Sequence, residues 1–563
     1  MVGPGGGGGS GAFDLGNAGG GAAAGGGGAG GGGAAGGGGV GTGGGGGVGT
    51  GGSCSPACAA GQLCINGTCG CPTYQALCNG QCIPVATDPM HCGDCTTVCT
   101  GATACSGGKC ESSCMAGLDM CSNACVDLQS DNGNCGTCGT ACATGQGCVA
   151  GTCKTAAPLG PPPAKCVNGG PPITIPVGGG GTQCSGNVAQ TTFTWALCSC
   201  AGVNASQQFL TDAYDSSQGP YMPGGVGGGV GLDGDWTSSQ TVDVGGTLWT
   251  SANKGLVGSS PMTVRRELHA GASVTVDMCT IDDDAFISGN ETGPMSVGKT
   301  LYQSPGATHS SGVTAASGIV AKAVTVPPPC DCSASALLPI AATVAAKKTA
   351  NDDALIGLDP GLLVSGSPPQ RLDLPCGEYY LTGIASPIAV TIAAHGHTAL
   401  YVDGDITTSS QLAITLDPTA TLDLFVSGTI KASQTLAIGS PNYPALSRTY
   451  VGSSTELVVS SNVRLATNLY DATALVTWSA PIEVYGSIFA GDFKASSTVK
   501  IHYDTAILTD GQQCPPTPPG GCSTCTDCNN QACVNGTCGA CTDSSQCCAP
   551  LQCINGTCAN PIS

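Results

Sequence analysis

Charge is what this chain lacks most: 16 Lys and Arg with 36 Asp and Glu fill only 9% of 563 positions and leave a net charge of −20. That balance excludes electrostatic attraction to nucleic-acid phosphates or to an anionic membrane surface. Aromatic residues are sparse as well, at 4%, which is not the composition of an average cytosolic enzyme. No run approaches the roughly 20 apolar residues of a membrane-spanning helix. Met1 to Ser53 contains no Lys or Arg and no apolar stretch, so the basic and apolar parts of a secretion signal are missing there.

What the chain has instead is Gly 93, Cys 39 and Pro 36. Thirty-nine thiols would need protection in a reducing cytosol, whereas outside it they supply a covalent framework in place of a large core. Export to the extracellular space or the outer cell surface is therefore expected, with a signal peptide, and a lipid anchor as one mode of attachment, upstream of Met1. The rival is a cytosolic protein with a zinc-rich module. Glycine supplies 32 of the first 53 residues, so 1–53 reads as a disordered tether that cannot bury enough surface to fold.

Cysteine spacing divides the rest. Within 54–153, Cys71, Cys78, Cys82, Cys92, Cys95, Cys99, Cys105 and Cys110 recur, each shifted by 43 residues, as Cys114, Cys121, Cys125, Cys135, Cys138, Cys142, Cys148 and Cys153. The segment is one half-repeat followed by two full repeats. Eight cysteines per repeat, few aromatics and no histidine at a repeating position favour disulfides, with partners unassigned, over the zinc-ribbon reading that the CxxC pairs Cys92/Cys95 and Cys135/Cys138 also permit. Asp88 and Asp131 sit at equivalent positions before each CxxC and read as turn residues. A proline-rich linker, 154–165, follows. A second proline-rich stretch opens the Cys-rich tail 511–563, which carries Cys541, Cys547, Cys548, Cys553 and Cys558, and its Asn-Gly pairs between cysteines mark tight hairpins. The odd cysteine total leaves at least one thiol unpaired or bridged to another chain.

The middle, 166–510, alternates apolar and polar residues between glycines and repeats a five-residue phrase: Val244 to Leu248, Val264 to Leu268, Val297 to Leu301, Val402 to Ile406, Val426 to Ile430 and Val484 to Ile488. Adjacent copies 20 and 24 residues apart predict coils of that length in a mainly β fold, a right-handed β-solenoid of some 12 or 13 coils and about 60 Å at ~4.8 Å per rung. A β-sandwich of similar strands is the alternative. One short helical insertion is expected near 335–350, capped by Ser335, with Leu337, Ile340, Ala341 and Val344 on one face and Lys347 and Lys348 at its end.

Several phrases carry a resemblance. Pro375-Cys-Gly-Glu-Tyr-Tyr-Leu381, Leu400-Tyr-Val-Asp-Gly-Asp-Ile406, Val484 to Lys494 and the closing Lys500-Ile-His-Tyr-Asp504 are similar to an uncharacterised β-solenoid domain of bacterial surface and pilus-associated proteins. The Cys-rich repeats and Phe193 to Cys200 resemble large secreted myxobacterial proteins, and the tail resembles small cystine-knot (knottin) modules. These likenesses imply fold and location; they bring no catalytic residue.

No chemistry-bearing constellation emerges from the residues. The five arginines, Arg265, Arg266, Arg371, Arg448 and Arg464, stand beside no acidic cluster in sequence. Asp282 to Asp284 and Asn351 to Asp353 read as turns or caps rather than calcium sites, and His395-Gly-His397 as a turn before a strand starting at Thr398. No nucleophile elbow or phosphate loop occurs. The expectation is thus a non-catalytic structural or adhesion protein without catalytic, cofactor or metal residues and without a cofactor. It would meet polysaccharide or other surface proteins through Ser, Thr and aromatic faces such as Trp236, Trp249 and Tyr302. The alternatives are a carbohydrate-active β-helix enzyme, a polysaccharide lyase or hydrolase, and a Cys-rich metal-binding or redox protein.

Overall fold

The computed structural model describes residues 74–510 apart from 178–180, 365–367 and 461–462, together with 63–65, 68–71, 532–534, 537–539, 541, 543–547, 552–554 and 557–559. The expected tether 1–53, the linker around Pro515, Cys548 and the Cys558 side chain lie outside them.

The solenoid is built from strands as short as three residues. Trp236–Ser238, Leu248–Thr250 and Leu268–Ala270 bury their outer residues and turn the middle one outward, because successive side chains of a strand point to opposite faces. Each five-residue phrase is a corner: Val244 ends one strand and Leu248 begins the next, both fully buried. Their stacked counterparts are register partners, as in Val244 to Val264, Val264 to Ile281 and Ile281 to Val297. Coils of the expected length stack Ile384 on Ile406 on Ile430. The coils through Val230, Leu248, Leu268, Ala285, Leu301 and Ile319 are shorter, at 16 to 20 residues, since three-residue strands and tight corners need fewer residues per turn.

The stacking order departs from the chain order. One parallel column runs Tyr379, Leu400, Leu424, Thr449, Leu469, Ile488, then Leu197, Val230, Leu248, Leu268, Ala285, Leu301 and Ile319, thirteen rungs in all. The chain therefore starts winding in the middle, reaches one end at Ala321, returns to the far end and winds back up to close a seam, where Ile488–Ala495 and Val499–Asp504 pair with Leu197–Ser199, Val203–Ala205 and Phe209–Tyr214. Inside the seam the rings of Trp236, Phe209, Phe493 and Trp478 follow one another at centroid distances of 5.2, 6.3 and 4.9 Å.

The return passage after Ala321 is a strap along the outside, fixed by the disulfides Cys198–Cys330 and Cys200–Cys332, while Cys166–Cys376 ties the segment ahead of the first coil to the strand Arg371–Leu381. Its helix spans Ile340–Lys347, and Pro339 rather than Ser335 precedes its first turn; proline is tolerated there because its missing N–H would have had no helical partner. Short helices at Ser185–Thr192, Asp353–Ile356 and Ile507–Asp510 accompany it, which the expectation of one helical insertion did not include.

Each 43-residue Cys-rich repeat closes on itself. The pairs Cys71–Cys82, Cys78–Cys95, Cys92–Cys105 and Cys99–Cys110 are copied in Cys114–Cys125, Cys121–Cys138, Cys135–Cys148 and Cys142–Cys153. In the tail Cys541 bonds Cys553, and Cys547 is also engaged. Cysteines facing each other across a hairpin, such as Cys105 and Cys110, bond to other partners, so each hairpin is tied to the rest of its module. Asp88 and Asp131 accept from Met90 N and Gly133 N as turn residues do. The repeats lie against the solenoid: Tyr74 hydrogen-bonds Ser216, Arg464 pairs with Asp127 at 2.6 Å, and Arg371 donates to the carbonyls of Ser130 and Cys148.

Candidate functional site

Four features concentrate chemistry on this scaffold. The first is an outward row of rings. The middle positions of the thirteen-rung column carry Tyr401, Phe425, Tyr450, Tyr470 and Phe489 below the seam and Trp249, His269, Phe286 and Tyr302 above it. In the upper set the planes lie 17°, 12° and 11° apart with centroids at 3.9, 4.6 and 4.8 Å, matching the rung spacing of ~4.8 Å. Their faces are thus spent on one another, and only edges meet solvent. The strap uses this row as its track. Trp249 and Trp195 donate their indole N–H groups to the carbonyls of Pro327 and Pro329, Lys322 lies over Tyr302, Tyr470 accepts from Leu338 N, and Lys347 lies over Tyr401 while pairing with Glu378 at 2.6 Å. Trp236, expected on the surface, is fully buried as the inward first residue of its strand.

The second feature is buried charge. At the seam His502 sits between Asp212, 2.6 Å from Nδ1, and Glu483, 3.0 Å from Nε2, and Tyr221 donates to Asp212 and packs its ring on the imidazole. Burial alone would push His502 down, but the two carboxylates outweigh it and hold the imidazole above its ordinary value. Ser216 donates instead to Asp504, so these groups form no Ser-His-Asp relay. One rung pair lower, Arg448 and Asp423 form a bidentate pair with both side chains almost fully enclosed. Four of the five arginines pair with an aspartate one rung away, on the same strand or in a Cys-rich repeat, Arg371 with Asp373 and Arg265 with Asp243 being the others; only the Arg371 partner stands nearby in sequence, the other three being brought near by the fold.

The third feature is His395, which does not end a turn. It lies with His397 inside the continuous strand Val390–Val402. Its Nε2 faces Asp373 at 3.1 Å and its Nδ1 faces Asp417 at 2.6 Å, on the rungs to either side. Burial opposes its charge, yet the two carboxylates raise it to about 9. His397 turns to Thr421. The pair thus binds different neighbours and offers no shared metal position.

The fourth is an open trough of about 610 Å³ beside the strands through Ala385, Thr407, Lys431 and Val458, rimmed by Ser409, Ser433 and Ser460. Three of the four rungs add a serine to the rim and the Ala385 rung adds Pro387, and Lys431 is held by Asp405 at 3.1 Å.

The remaining acidic candidates are turn residues. Asp283 pairs with Lys299, and Asp284 accepts from Thr300 N. Asp352 accepts from Glu378 N and Lys165, and Asp353 from Tyr380 N, its carboxyl pushed up to about 6 by burial. Asp471 differs: it is fully buried, neither carboxyl oxygen has a partner, and burial pushes it up to about 8. The sulfurs of Cys92, Cys99 and Cys110, and of Cys135, Cys142 and Cys153, cluster closely enough for a metal, but as members of adjacent disulfides they are not thiolate ligands. Cys279 is the free cysteine among the described residues, buried, its thiol pushed up to about 12.

Residues 336–509 match the model of a domain of unknown function, DUF7305, and residues 70–113 that of the stigma-specific STIG1-like protein family. The first match begins in the strap just before its helix, covers the coils below the seam and ends in the helix Ile507–Asp510; the second covers the first Cys-rich repeat. No curated protein and no solved structure matches the chain. Neither family description names an activity or a ligand. The Cys-rich disulfide modules and the β-solenoid fit an extracellular structural protein, and no helix among the described residues is long and apolar enough to cross a membrane.

Proposed function

We propose that this is a non-catalytic, exported protein of the cell surface or extracellular space, a rigid disulfide-laced stalk that adheres weakly to polysaccharide or to neighbouring surface proteins. The carrying observation is that its histidine–carboxylate groups join rungs: Asp212 and His502 are buried at the seam with the half-buried Glu483 beside them, and Asp373, His395 and Asp417 link three successive rungs. Thirteen rungs at ~4.8 Å make a body of about 58 Å, a spacer's dimension, with the Cys-rich repeats laid along it as a brace. With the aromatic faces used internally, glycan contact rests on hydroxyls, and the trough rimmed by Ser409, Ser433 and Ser460 offers them at regular intervals, which suits shallow, multivalent binding.

The test is incubation of the full chain with a panel of soluble and insoluble polysaccharides. Retention on an insoluble glycan, weakened by Ser409→Ala with Ser433→Ala and with no new reducing or unsaturated ends, supports the reading. Depolymerisation of a defined glycan, abolished by replacing Asp282 to Asp284 or His395, would establish the carbohydrate-active enzyme instead.

A further inference from the structure

The two ends of the solenoid are finished differently. At the lower end the strand Arg371–Leu381 is buried along nearly its whole length. Its outer edge is occupied by the chain: Ala157 N donates to Arg371 O, Asp352 N to Glu378 O, and Asp352 and Asp353 accept from Glu378 N and Tyr380 N. At the upper end Ile319–Ala321 is exposed at every residue and among the described residues pairs only with Leu301–Gln303 below it, as Val313–Ala315 pairs only with Met295–Val297. The strap leaves sideways at Lys322, whose N–H reaches down to Gln303 O, and covers neither strand. Ile319, an inward residue, stays 38% exposed and Val320 42%.

We propose that this upper end is a self-association surface, pairing with the same end of a second copy about a twofold axis. Open edges in monomers are ordinarily blunted by very short strands, lysine, proline or a bulge; the end strands are three residues long, as are the rungs stacked below them, so length does not set them apart. Residues 304–321 contain no Asp, Glu, Lys or Arg, and 306–321 no Pro. The chain carries a net charge of −20, so two copies repel except where a surface is uncharged, and this coil is such a surface. The one charge beside the edge, Lys322, lies over Tyr302, so a charged ligand finds nothing to pair with on the strands themselves, whereas an identical uncharged edge meets itself without penalty, strand Ile319–Ala321 antiparallel to its symmetry mate. Beneath the edge the core closes with a polar plug, Gln303 donating to Glu291 at 2.5 Å and facing His309 at 3.2 Å. Association therefore rests on main-chain hydrogen bonds and the outer residues, and it doubles the length of the stalk.

Sedimentation velocity of the full chain over a wide concentration range tests this. The expected result is a concentration-dependent dimer. Thr314→Lys with Val320→Lys, two exposed outward positions on the edge strands, leaves a monomer with unchanged melting temperature. The matched control Thr263→Lys with Thr280→Lys, placed on the flank of the coils below, remains dimeric and separates edge blocking from the change in net charge. A parent chain that is monomeric throughout, or an edge variant that dimerises like the parent, overturns the proposal; neither outcome bears on whether the stalk binds glycan.

Discussion

Leu197 lies opposite Ile488 in a parallel ladder, so the first strand of the solenoid rests on one of its last. The two halves thereby share one core, with Phe209 edge-on to both Trp236 and Phe493. Replacing Ile488 by Ala is expected to cost about 2–5 kcal/mol, the range for a large-to-small core change. Probes above and below the seam should lose structure in one transition on chemical denaturation. Separate transitions would mean that the seam does not couple the halves.

Val426 and Ile430 are both buried on either side of a corner. Val426→Asp or Ile430→Asp places a carboxylate among apolar rungs and is expected to unfold the coils. A variant that melts like the parent would show that the side chain points outward.

Asp423 and Arg448 form an enclosed ion pair. Asp423→Ala removes the carboxylate that faces a buried guanidinium and is expected to lose about 3–5 kcal/mol, whereas Asp423→Leu with Arg448→Met recovers most of it. Urea unfolding of the single and double variants measures the difference.

Asp471 and His395 set the alkaline side of stability. An acid raised in the fold to about 8 costs nothing below its unfolded value and progressively more as pH rises toward 8. An imidazole raised to about 9 stabilises fully below its unfolded value and loses that contribution as pH climbs through 9. Both therefore predict a melting temperature that falls between pH 6.5 and 9. Asp471→Asn should raise stability at pH 8 and flatten that slope, and His395→Gln should lower it at pH 6 more than at pH 9.5. A parent curve that is flat over this range would contradict both assignments.

Among the described residues only Cys279 is free. Alkylation of the native chain should leave it untouched, and alkylation after denaturation without reduction should label it; the twelve bridges described here leave their cysteines unlabelled until a reductant is added. Stoichiometric zinc in the purified protein would point instead to thiolate ligands in the repeats.

The sequence by itself determined the small units. The 43-residue shift of the cysteines marks two modules with identical bridges, and phrases such as Val244 to Leu248 are readable as buried corners because a corner is local: two inward residues and a glycine-rich turn. What the tertiary structure decided was which coil rests on which. Parallel rungs made of Val, Leu and Ile stack equally well in many orders, so nothing in the strands around Leu197 announces that Ile488 lies beneath them. The same non-local stacking put Arg448 beside Asp423 and His502 between Asp212 and Glu483, turned Trp236 inward, and spent the faces of Trp249 and Tyr302 on the ring row. Period and corner chemistry are set within one turn of chain, whereas partners are set by the order of turns, which here closes only when the strap has carried the chain from one end of the solenoid to the other.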